Sequence, residues 1–166
     1  MSIEIFHFVR FLHVVCASAW FGEVVVINFV LIPALSRYQG VYKKDFLNTI
    51  FPKIFNLASV LAGTTAVTGG ILLYHFIGVD IVSLTSKGTW GWSILIAGTL
   101  GLVLTIFHFF IENNLAKKVG VGDPNLSQDS VEDVHLKLKF IPRACLVVIT
   151  TIFLLMLNAT HALISF

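Results

Sequence analysis

The residues of this chain with chemistry to offer are six histidines, two cysteines and one carboxylate set deep in an apolar run. The histidines are His7, His13, His75, His108, His135 and His161; the cysteines are Cys16 and Cys145; the carboxylate is Glu23. Imidazole is a common ligand for metals and haem iron, and helical bundles build cofactor sites from facing side chains. An ionisable group inside a membrane helix is costly unless it faces a partner or a cavity, so Glu23 points to function. On a helical wheel Trp20 lies within about 40° of His13 and Glu23 about 80° away, so one helix face and its shoulder carry all three.

The elements that position them are membrane spans. The chain is 57% hydrophobic and 12% charged, and its mean hydropathy is +0.90. A bilayer core takes about 20 apolar residues at 1.5 Å each. Four runs meet that length, at about 5–35, 55–77, 92–111 and 141–164, and predict an all-α integral membrane four-helix bundle in a single domain over 1–166. A formal charge of +2 is too small for a nucleic-acid partner, which leaves the lipid bilayer as the first partner. Ala17-Ser18-Ala19 resembles a cleavage site, but no basic segment precedes it and the apolar run continues, so no signal peptide is expected.

Polar stretches separate the spans: 36–49 reads as a loop, Gly-Asp-Pro-Asn at 122–125 as a turn, and Asp129 or Ser130 as the cap of a helix running into the last span. Trp90 and Trp92 are placed as interfacial anchors. The one-two and three-four loops hold nine basic residues (Arg37, Lys43, Lys44, Lys53, Lys117, Lys118, Lys137, Lys139 and Arg143), and the other side only Arg10 and Lys87. Basic loops stay cytoplasmic, so both termini are expected outside a cell membrane.

With that topology His13, His75 and His161, on three different helices, fall in one outer layer. A low-spin haem b would take His13 and His75 as axial ligands, with Trp20, the glycines of span two and its threonine stripe beside the macrocycle. His161 and Arg10 would support it, and His108 with His135 would serve a second haem. Copper is the other ligand reading, using His13, Cys16, His75 and His161. The structural reading leaves the histidines hydrogen-bonded to neighbours or at the wet interface. Glu23 is either a proton relay or a protonated acid bonded to Thr64, Thr68 or Thr150. The two cysteines, near opposite faces, are too distant for a disulfide.

The first span resembles the opening helix of the CopD-like (copper-resistance D) membrane proteins, in His13, Trp20, Gly22 and the exit Pro33-Ala34-Leu35. FLNTIFPKIF, with Phe51-Pro52, resembles the start of the second helix in related small four-helix families. The pattern is also similar to the bacterial four-helix haem-binding protoporphyrinogen oxidase type, whose first helix pairs an early histidine with a Trp-Phe-Ala/Gly turn. Glu23 departs from the small or apolar residue expected there. The resemblance implies a haem- or copper-associated membrane protein with His13 as ligand. Three functions follow: haem b electron transfer linked to quinol or another membrane redox partner, copper handling, or a cofactor-free accessory subunit, as a homo-oligomer or in a larger complex.

Overall fold

The computed structural model describes the backbone of residues 1–37, 40–78, 80–119 and 128–164, and the side chains of 1–37, 49–50, 52–78, 80–111 and 140–160. Among the described residues there are helices and no strands. They are α1 (Ile3–Val26), a π-helical turn (Ile27–Leu31), α2 (Ile32–Leu35), α3 (Gly40–Ile77), α4 (Val82–Thr85), α5 (Gly88–Val119) and α6 (Gln128–Ile164). Four stretches are long and apolar enough to cross a membrane: Ile3–Leu35, Pro52–Ile77, Gly88–Ile111 and Phe140–Thr160. The chain is an all-α, multi-pass, four-helix membrane bundle.

Two helices are longer than the apolar runs suggested. α3 begins at Gly40, so most of the stretch expected as a polar loop at 36–49 is helix. α6 begins at Gln128, close to the start expected at Asp129 or Ser130, and carries Pro142 inside a continuous helix. Hydropathy registers only where lipid replaces water, whereas the backbone ladder continues beyond the bilayer wherever the sequence tolerates it. The 122–125 turn lies outside the described residues.

Ser2 opens α1 as an N-cap, its Oγ accepting from the Ile5 N–H at 3.5 Å. The other end of the first span is irregular for a local reason. Pro33 has no N–H and its ring crowds the carbonyl four residues back, and immediately before it the helix widens to a π turn in which the Ile32 N–H bonds the Ile27 carbonyl. Asn28, in that turn, donates from Nδ2 to the Val24 carbonyl (2.8 Å) and to the Pro142 carbonyl (2.9 Å), clamping α1 to α6.

The helices neighbour one another in the ring α1–α3–α5–α6. α1 and α3 run antiparallel, with Phe6 against His75 and His13 against Thr65 and Gly69. His108 of α5 meets Ser59 of α3, Asn158 of α6 donates to Ser93 of α5, and Phe21 stacks on Phe153 at 5.0 Å. The central core packs Trp20, Val24, Ala58, Ala62, Leu104 and Ile149. Large apolar side chains such as Phe8, Phe29, Val103, Phe110 and Leu154 point outward, as lipid permits.

At the end of the bundle where α1 begins, α4 folds over the start of α5. Leu84, Trp90 and Ala159 form a second small core there, and Lys87 lies 5.5 Å above the Trp90 ring. Trp90 is therefore buried rather than an interfacial anchor, while Trp92 is exposed. The cover supplied by α4 makes the difference.

Candidate functional site

Polar groups meet inside the bundle at two levels. The one nearer the N-terminal end of α1 is centred on His13. Its Nδ1 lies 3.0 Å from the Thr65 carbonyl oxygen and 3.2 Å from Thr68 Oγ1. A carbonyl only accepts, so Nδ1 carries the proton and Nε2 the lone pair. The Thr68 hydroxyl donates to the Thr64 carbonyl at 2.6 Å, which leaves its oxygen turned to accept from His13. Gly69 makes room for the ring: a Cβ at that position would stand 3.0 Å from His13 Cε1 and 3.4 Å from Nδ1. The imidazole thus has one tautomer and a fixed seat, and its Nε2 has no hydrogen-bond partner among the described residues. A histidine ligand held by an Nδ1–H to carbonyl bond is the usual outer-shell arrangement of metal and haem sites.

The other expected members of that layer sit elsewhere. His75 is six residues beyond Gly69 on α3, about 9 Å further along the axis toward the end of that helix. It is exposed and packs on Phe6 at 5.2 Å between ring centroids. His13 and His75 occupy successive levels of one seam, so they do not face each other across a plane. The reason is the length of α1: it starts at Ile3, which puts His13 about 15 Å below its outer end, whereas His75 lies two residues from the end of α3. Arg10 is exposed one turn outward of His13, and Trp20 is buried two turns inward. Cys16 is a buried free thiol. The side chains of His161 and His135 lie outside the described residues. Among the described residues, no three His, Cys, Asp or Glu side chains gather as a metal site.

The inner level is a cavity of about 60 Å³ between all four spanning helices. Glu23 and Trp20 of α1, Phe55 of α3, His108 of α5, and Pro142 and Cys145 of α6 line it. His108 Nε2 lies 3.1 Å from Ser59 Oγ, and its ring stands 6.3 Å from Trp20 and 6.1 Å from Phe55. Both Glu23 carboxyl oxygens are shielded from solvent and have no hydrogen-bond partner among the described residues. The threonines expected to hold Glu23 do not reach it: Thr68 and Thr150 spend their hydroxyls on the carbonyls of their own helices. Such back-bonding is the default for threonine in a membrane helix, where every backbone oxygen is a nearby acceptor.

His108, assigned from the sequence to a second haem, instead lines the same cavity as Glu23. A depth count would have found it. Glu23 and His108 each lie 20 residues from the start of α1 and α5, two helices that run in the same direction. No family model, characterised protein or solved structure matches this chain.

Proposed function

We propose that this membrane protein binds a b-type haem through His13 Nε2 and works in electron transfer. The supporting observation is the seat of His13: the Nδ1–H bond to the Thr65 carbonyl and the slot at Gly69 fix its tautomer and orientation. Holding the ligand nitrogen in advance of binding removes a rotamer cost that iron coordination would otherwise bear. When bound, haem supplies one-electron redox chemistry. Arg10, exposed one turn outward, offers the cation for a propionate. Thr68 keeps the Nδ1 proton in place by accepting beside the carbonyl.

In this reading His13 is the one described imidazole that would hold the haem. His75 is left to the outer surface, since its ring packs at a tilt on Phe6 rather than opposing His13. The nine-to-two bias of basic residues supports outward termini and puts the His13 level in the outer half of a cell membrane.

The test is an absorption spectrum of detergent-purified protein before and after dithionite, with metal analysis on the same sample. A Soret band lost in His13→Ala and kept in His75→Ala is the expected result. A colourless sample carrying copper would replace haem by metal handling. A sample colourless and metal-free after haem supplementation would refute both.

A further inference from the structure

We propose that the inner cavity is a hydrated proton-binding site, in which Glu23 accepts the proton and His108 exchanges it. This stands independently of haem, because it rests on a different level of the bundle and on other residues.

Burying a polar group without a hydrogen bond is costly, and a carboxyl group in lipid depth is among the most costly of all. Here both oxygens are sealed from solvent and no donor among the described residues reaches either. The same carboxyl lines the cavity, whose volume of about 60 Å³ exceeds the roughly 10–15 Å³ needed for one water. Water in that space satisfies the carboxyl oxygens that the protein leaves bare.

The walls then determine which protons reach it. α3 contributes Ile54, Phe55 and Ala58, none of which titrates. α5 contributes His108 and α6 contributes Cys145. The nearest cations in sequence, Arg143 and Lys53, are exposed and do not line the cavity. Glu23 therefore has no described ion pair to lock it charged, and His108 is the one imidazole among the described residues that line the cavity. Ser59 anchors that imidazole from behind.

The exchange balances without any other reactant. An imidazolium at His108 gives its proton through the water to a Glu23 oxygen, leaving neutral imidazole and a neutral carboxylic acid. Two opposite charges vanish together, so the net charge of the cavity is unchanged. Reprotonation of His108 from the basic-loop side then stores one positive charge in the membrane interior. That stored proton is what a relay, or charge compensation for an arriving electron, requires.

The experiment is infrared difference spectroscopy on the full chain in lipid nanodiscs, across a pH range, in H₂O and D₂O. One protonated-carboxyl C=O band is expected to titrate, to shift in D₂O, and to vanish in Glu23→Gln. Glu23→Asp should keep a displaced band, which covers the case in which the amide variant does not fold. His108→Gln should slow hydrogen–deuterium exchange of the band about tenfold or more, modest against the 10²–10⁴ that a positioned acid–base group contributes. A band that survives Glu23→Gln, no titrating band, or a band that never exchanges in D₂O would each overturn the proposal. Unchanged exchange in His108→Gln would remove His108 from it. The band is read whether or not the sample is coloured, so this test and the haem test fail separately.

Discussion

Gly69→Ala and Gly70→Ala form a matched pair that tests the seat of His13. The two glycines are neighbours in the interior of α3, and each gains about 1 kcal/mol of helix propensity when given a methyl group. At Gly70 that methyl meets nothing within 4 Å. At Gly69 it meets the His13 ring at 3.0 Å from Cε1 and 3.4 Å from Nδ1, tighter than ordinary contact. The ring cannot retreat freely, because its Nδ1–H bond to Thr65 is already 3.0 Å long and must stretch. Overpacking costs about 1–3 kcal/mol, and a weakened hydrogen bond up to about 1 kcal/mol more. Gly70→Ala should therefore be neutral or stabilising by up to about 1 kcal/mol. Gly69→Ala should fall below it by about 1–4 kcal/mol, summing the overpacking and hydrogen-bond losses. Thermal unfolding of both variants in one detergent gives the difference, and the haem spectrum of each reports the position of Nε2. Equal stabilities, with unaltered spectra, would show that His13 does not occupy this slot.

Asn28→Ala should lose the α1–α6 clamp, two amide hydrogen bonds worth roughly 0.6–2 kcal/mol each in a membrane bundle. Thr151→Ala, which loses only a bond to its own helix, is its control in the same unfolding assay and should cost less. Gly91→Ala drives a methyl group into the Leu84 backbone carbonyl, where no side chain can yield. It should cost more than the usual 1–3 kcal/mol of overpacking and expose Trp90, read as quenchable tryptophan fluorescence. For sidedness, Lys87→Cys in a Cys16→Ala, Cys145→Ala background should react with an impermeant thiol reagent on intact cells, and Lys44→Cys only after permeabilisation. The reverse pattern would invert the topology.

Some of this was legible in the residues alone. Lipid is a solvent that each span meets by itself, so apolar length predicts four helices without knowing any neighbour. His13 was legible for a related reason: it shares a helix face with Trp20, and a face is a local property of one helix. The opposition of Glu23 and His108 was legible in principle, through equal depth on two helices running the same way. Hydropathy alone does not mark the helix starts at Ile3 and Gly88 from which that depth is counted.

What the chain cannot reveal without its fold is where one helix stands against another. His75 and His13 looked level until the fold set His13 against Thr65 and Gly69, and His75 against Phe6. Trp90 looked interfacial until α4 covered it. Glu23 looked bonded to a threonine until Thr68 and Thr150 turned to their own backbones. Composition and periodicity determined the spans, their number and the face each presents. The axial offsets, the slot at Gly69 and the cavity at Glu23 were decided by tertiary structure. They arise from contacts between residues tens of positions apart, such as His13 with Thr65 or Asn28 with Pro142, whose spacing no local pattern encodes.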